Sequence, residues 1–118
     1  MRAARKARAD ALFVVAPGML NSHRPRITAF AIEARLPAIY SNVEFVSDGG
    51  LMGYAPNLTE QFRRVATYVD KILKGAKPAD LPIEQARSFE LWINLKTAKQ
   101  SGISVPPGLL ARADRVIE

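Results

Sequence analysis

The sequence predicts an α/β domain with a mainly parallel sheet. Three observations carry this. Residues 11–16 (Ala-Leu-Phe-Val-Val-Ala) are an uninterrupted apolar run closed by Pro17-Gly18, the habit of a strand buried on both faces. An amphipathic stretch over 22–35 and a second short apolar run over 36–40 follow, which makes one βαβ unit within about thirty residues. Residues 58–74 then carry a long apolar stripe at helical spacing.

Each element has a local cause. In the first helix, Asn21 or Ser22 can cap the start and Pro25 falls in the first turn, where its missing N–H costs nothing. Ile27, Phe30, Ala31 and Ala34 share one face, and Leu36-Pro37 ends the helix because the residue before a proline resists the helical region. Residues 37–40 form the second strand. Residues 41–48 are ambiguous, with one helical turn around 43–46, and Gly49-Gly50 leads into a third strand over 51–54. Asn57 is a good N-cap and Glu60 completes a capping-box-like pair for the helix over 58–74. Leu58, Phe62, Val65, Ala66, Val69, Ile72 and Leu73 mark its apolar face; Glu60 with Arg64 and Asp70 with Lys74 are i, i+4 pairs. Gly75 is its stop.

Residues 76–87, with Pro78 and Pro82, form an extended connection. The fourth strand, 89–93, alternates: Phe89, Leu91 and Ile93 on one side, Glu90, Trp92 and Asn94 on a wetter one. A short helix over 94–100 ends at Gly102, residues 103–107 are extended, and the tail from Gly108 is a weak helix.

Composition sets the bounds on function. The 118 residues suffice for one domain, and 48% hydrophobic with 24% charged residues describe an ordinary folded chain. Without cysteine there is no disulfide and no thiolate zinc site, and a single histidine, His23, excludes a multi-histidine metal site. No cofactor or metal is expected. His23 itself reads as a solvated residue in a helix's first turn. The net charge of +6 invites a nucleic-acid reading. Yet Arg2, Arg5, Lys6 and Arg8 lie in the first eight residues; without them 13 basic residues face 11 acidic ones, leaving +2. The basicity belongs to one end, as a solvated helix tail would, and nucleic acid is not expected as a partner. That end lacks the apolar stretch of a secretory signal, and no apolar run approaches the ~18 residues of a membrane span.

No catalytic motif is present, so no enzyme activity is expected. Gly49, Gly50 and Gly53 do not fit G-x-G-x-x-G, and Gly75-Ala76-Lys77 ends a helix where a phosphate loop would open one. Ser22-His23 are sequence neighbours without a G-x-S-x-G elbow. A binding site is the better expectation. Open parallel sheets bind ligands beyond the carboxyl ends of their strands. There lie Met19, Asn21, Ser22, Ser41, Asn42, Phe45 and Tyr54, a mixture of apolar surface and hydrogen-bonding groups suited to a small solute. For any one of them, an ordinary loop or core role competes. Phe45 and Tyr54 would lead, as an aromatic pair able to stack on a flat solute. On that expectation, truncating Phe45 weakens binding and leaves the fold intact.

The sequence also resembles a family: bacterial ABC-transporter substrate-binding proteins of the periplasmic-binding type, in the group with tryptophan- and tyrosine-binding members. The resembling residues are Ala9-Asp10-Ala11-Leu12-Phe13-Val14-Val15, Ser22-His23-Arg24, Leu36-Pro37-Ala38-Ile39-Tyr40, Glu44-Phe45-Val46 and Gly49-Gly50-Leu51-Met52-Gly53-Tyr54. The likeness is densest over 68–82, with its I-L-K-G-x-K-P-x-D-L-P run, and continues through Ile93-Asn94-Leu95-Lys96-Thr97-Ala98-Lys99 and Pro106-Pro107.

This resemblance implies a Rossmann-like three-layer periplasmic-binding-protein fragment. Residues 9–48 and 83–118 would supply second-lobe elements, and 49–76 a first-lobe strand and helix. It implies a solute-binding role in an ABC-type uptake transporter, a permease partner when full-length, and a small-molecule solute, whether an amino acid or an aromatic compound. Pro17 stands where many relatives carry an acidic residue for a ligand's ammonium group, which weighs against an amino acid. A periplasmic location is implied, whereas the chain as it stands, without a signal peptide, would be cytoplasmic. Missing sheet neighbours would favour a homodimer that is domain-swapped through 51–75. The alternative is a truncated remnant that self-associates without binding a ligand.

Overall fold

A computed structural model describes residues 1–118. The chain runs α1 (Arg2–Lys6), β1 (Leu12–Val14), α2 (Gly18–Asn21), α3 (Arg24–Glu33), β2 (Ala38–Tyr40), α4 (Glu44–Ser47), β3 (Met52–Pro56) and α5 (Leu58–Leu73). A 3-10 turn (Pro78–Asp80), β4 (Phe89–Asn94), α6 (Leu95–Ser101), α7 (Pro107–Leu110) and β5 (Arg115–Ile117) complete it. These elements divide into two compact units, Met1–Ala55 with Glu90–Glu118, and Pro56–Phe89. No helix is long and apolar enough to cross a membrane.

The sheet has the order β1-β2-β3-β4-β5. β1 with β2, β2 with β3, and β4 with β5 are parallel, as helical crossovers between them require. Between β3 and β4 the bonds run the other way. Asn94 N–H donates to Leu51 C=O (2.8 Å) and Asn57 N–H to Ser88 C=O (2.9 Å), so one strand climbs as the other descends. The sheet is thus mainly parallel, with one antiparallel step.

In the larger unit the core lies between the sheet and α3 and α4. Ala31, Ala38, Tyr40 and Phe45 are its centre, with Leu12, Val14, Ala16 and Ile27 packed around them. The Tyr40 and Phe45 rings stack with centroids 4.6 Å apart. Two glycines admit α4 so close. A Cβ on Gly50 would stand 2.7 Å from the Phe45 carbonyl oxygen, and one on Gly53 would stand 2.8 Å from Val46 Cγ2. In-register Phe13, Ile39 and Met52 point to the other face of β1–β3, two residues short of Tyr54 on the same strand. Phe13 is 70% and Tyr54 53% exposed.

The smaller unit is α5 and the strap that returns beside it. Asn57 Oδ1 accepts the Glu60 N–H (2.9 Å), as the capping signal predicts, and Gly75 takes φ 105° past the helix end. The Asn57 N–H goes to Ser88. Tyr68 Oη donates to the Pro82 carbonyl (2.6 Å), and Arg64 pairs with Glu84 (3.4 Å) in place of the expected Glu60. Lys74 pairs with Asp70 at 3.0 Å, as the spacing requires. No residue of α5 is buried. Leu58, Phe62, Val65, Val69 and Ile72 are 41–71% exposed.

Four expectations need correction. The helix expected over 22–35 begins at Arg24, because 18–21 form a separate turn after Pro17 and His23 becomes the cap position. It stops at Glu33, with Arg35 in the left-handed region at φ 52°, before Leu36-Pro37 can act. The tail from 108 holds only the end of α7 and then the strand β5, latched by Leu91 N–H to Asp114 Oδ2 and Asp114 N–H to Leu91 C=O, both 2.8 Å. Asn94, placed on the wetter side of β4, is buried: its Nδ2 donates to Val46 C=O (3.2 Å) and its Oδ1 accepts the Thr97 N–H (3.0 Å).

Candidate functional site

The ends of β1 and β2 are stapled by one serine. Ser41 N–H donates to Val14 C=O (3.0 Å), and Ser41 Oγ accepts the Ala16 N–H (3.1 Å). The hydroxyl can still donate its own proton to a second acceptor. Next to it, Asn42 uses both ends of its amide: Oδ1 accepts the Glu44 N–H (2.9 Å), and Nδ2 donates to Asn21 Oδ1 (3.3 Å). Ser41, Asn42 and Asn21 therefore form one polar group at the carboxyl ends of two parallel strands. Ser22 turns back to the Gly18 carbonyl at 3.5 Å, at the limit of a hydrogen bond.

Beneath this group lies a clamp that sequence reasoning missed. Arg24 Nε binds Asp48 Oδ2 (2.6 Å), its Nη1 lies 3.2 Å from Glu44 Oε2, and the same Nη1 donates to Asn21 C=O (3.3 Å). The bond to Asp48 raises the guanidinium pKa, with a smaller opposing effect of burial. Thr28 Oγ1 lies 3.2 Å from Asp48 C=O, and Thr97 Oγ1 donates to Gly49 C=O (2.8 Å). With Asn94 on Val46, four side chains fix the segment from Glu44 to Gly49. The one legible signal was the Asn94-x-x-Thr97 spacing of a helix cap. Arg24 gave none, because its partners lie 20 and 24 residues away in sequence. Both acids near the polar group are thus engaged by Arg24.

The other expected residues are placed differently. Met19, 73% exposed on α2, presents apolar surface to solvent. Tyr54 lies on the sheet face away from the core. Phe45 is fully buried against Tyr40, so its ring supports the site from within and is not offered to a solute. Pro17 caps the turn of α2 and, as the sequence indicates, brings no charge.

The family model for ABC transporter substrate binding proteins matches residues 1–117. The chain belongs to that family. Two solved structures share its fold at substantial identity. A conserved domain protein from Vibrio cholerae O1 biovar El Tor superposes with a TM-score of 0.86 at 26% identity, covering 92% of this chain and 37% of its own. An ABC domain from Streptococcus pneumoniae in complex with L-Trp superposes at 0.84 with 28% identity, covering 94% and 38%. A ligand-free, open substrate binding protein with adhesive properties from Clostridium difficile matches at 0.66 and 21% identity, over 91% and 36%, a likeness of fold alone. The chain thus spans little more than a third of these proteins' length. Comparison with curated proteins yields no significant match.

Proposed function

We propose that this chain is a non-catalytic solute-binding part of an ABC-type uptake system, with its contribution to the site centred on Ser41, Asn42 and Asn21. The observation that carries this reading is the polar group at the strand ends, in a chain matched to the substrate-binding family over 1–117. Ser22, Met19 and Tyr54 extend the surface, and Phe45 holds Tyr40 and α4 in place beneath it. Where the resemblance assigns 9–48 and 83–118 to one lobe and 49–76 to the other, we assign residues 1–55 with 90–118 to the first of these and 56–89 to the second, because β3 pairs with β2 in one sheet. A permease is the transport partner, the working location is extracytoplasmic, and the 118-residue chain pairs with a second copy.

The solute is small and held by hydrogen bonds. The neighbour with bound L-Trp supports an amino acid or another aromatic compound. The engagement of Glu44 and Asp48 by Arg24 favours a solute that does not rely on a carboxylate from this chain. Titration calorimetry with L-tryptophan, then with a panel of amino acids and neutral aromatic compounds, tests the proposal. Saturable heat is expected with at least one, and Asn42→Ala should weaken it about 3- to 10-fold, the worth of one hydrogen bond. If the whole panel gives no saturable heat, the ligand-free remnant is the better account.

A further inference from the structure

We propose that Arg24 is a positioning residue of the solute site: its guanidinium closes a ring of hydrogen bonds that sets the side-chain amide of Asn42 before a solute arrives. This rests on the site at Ser41, Asn42 and Asn21 proposed above.

The ring has four members, all in the larger unit. Arg24 Nη1 donates to the Asn21 C=O (3.3 Å) and pairs with Glu44 Oε2 (3.2 Å). The Glu44 N–H donates to Asn42 Oδ1 (2.9 Å), and Asn42 Nδ2 donates to Asn21 Oδ1 (3.3 Å), which closes the circuit. Each end of the Asn42 amide is thus bonded to a residue that one guanidinium nitrogen holds. Turning the amide over would set its NH2 against the Glu44 N–H, donor against donor, so the ring admits one orientation. In that orientation Asn42 keeps one Nδ2 hydrogen for a further acceptor.

Asn21 is the member of the ring that most needs a tie. It ends α2, a single turn with no buried residue. The backbone bonds of that turn are local: the Leu20 and Asn21 N–H groups donate to Pro17 C=O (2.9 and 3.3 Å), and the His23 N–H to Leu20 C=O (3.0 Å). They keep the turn's shape and do not fix its distance from the end of β2. The bonds from Arg24 and Asn42 do.

Arg24 is itself well held. Its Nε binds Asp48 Oδ2 at 2.6 Å, and its side chain is 28% exposed, so water screens these pairs less than it would on an open surface. Separate nitrogens of one rigid fork serve Asp48 on one side and Glu44 with Asn21 on the other. A lysine ammonium is a single point of charge and cannot reproduce that division. Ordering Asn42 in advance lowers what a solute must spend on ordering it at binding.

The first test needs no solute. Nitrogen-15 spectra of the 118-residue chain contain the Asn42 side-chain NH2 pair, identified by its absence from Asn42→Ala. Arg24→Met and Arg24→Lys should both shift that pair towards the position of a free asparagine amide. The strand amides over 38–40 should stay in place, because Thr28, Asn94 and Thr97 still hold the carbonyls of Asp48, Val46 and Gly49. Arg5→Met removes a different arginine pair, with Glu33 at 3.0 Å, and should shift neither set. An Asn42 pair that stays in place in Arg24→Met, or that recovers fully in Arg24→Lys, overturns the proposal.

L-tryptophan is the probe for the consequence in binding. Arg24→Met should weaken its binding about 3- to 10-fold, as Asn42→Ala does, and the double variant should lose no more than about 2-fold beyond either alone. Losses that multiply would show that Arg24 acts by a route other than Asn42, and would overturn the proposal as well. Absence of saturable heat from the natural chain counts against L-tryptophan as its solute, and the ring then stands or falls on the Asn42 shift.

Discussion

Tyr40→Phe should make this protein more stable. The Tyr40 side chain is fully buried, stacked on Phe45, and its hydroxyl has no hydrogen-bond partner. The void that Tyr40 helps to line, with Thr28, Ala38, Leu51, Thr97 and Ser101, has no room for a water molecule to serve it. A buried hydroxyl left unmade costs about 1–3 kcal/mol. Removing the oxygen recovers most of that and loses only a few contacts, for a net gain of about 1–2 kcal/mol. In a chain of this length, that is roughly 4–8 °C in melting temperature at fixed protein concentration.

A second signature of the same hydroxyl appears at high pH. Burial pushes its pKa up to about 12, whereas tyrosine in the unfolded chain ionises near 10. Folding therefore favours the neutral form. The contribution is fully present below pH 10 and is lost as pH rises from 10 through 12, by about 3 kcal/mol in all. The phenylalanine variant lacks this loss, so its advantage over the natural chain should widen across that window. Urea denaturation of both proteins at neutral and alkaline pH measures the two effects. A variant less stable at neutral pH, or a constant gap from pH 9 to 12, would show that the hydroxyl is satisfied and the reasoning wrong.

Phe45→Ala should cost about 3–5 kcal/mol in chemical denaturation, because a fully buried ring that stacks on Tyr40 is removed and its cavity cannot close. An unchanged midpoint would return Phe45 to the site surface. Gly53→Ala should cost about 1–3 kcal/mol, since its Cβ would stand 2.8 Å from Val46 Cγ2 and 3.2 Å from Val43 Cα; a neutral effect would mean that α4 is free to move away. Asn57→Ala should lose about 1 kcal/mol as the cap of α5 goes. Hydrogen exchange should show faster amides in the first turn of that helix and little change elsewhere.

Where an element's cause lies within a few residues of itself, the amino-acid order was sufficient. Asn57 capping α5, Gly75 ending it and Gly102 ending α6 are all local steric or hydrogen-bonding events, and each stands where the sequence puts it. The same order determined the α/β class, because apolar runs and amphipathic helices alternate. Only the tertiary structure decided the rest. β5 is three residues long, too short for a period, and exists because Asp114 meets Leu91 from across the fold. Arg24 is a clamp because folding brings Glu44 and Asp48 to it, and Phe45 is core because Gly50 and Gly53 let α4 sink against the sheet. The stripe on α5 states in sequence that one face requires a cover. That no residue of the stripe is buried is decided by the fold and not by the spacing.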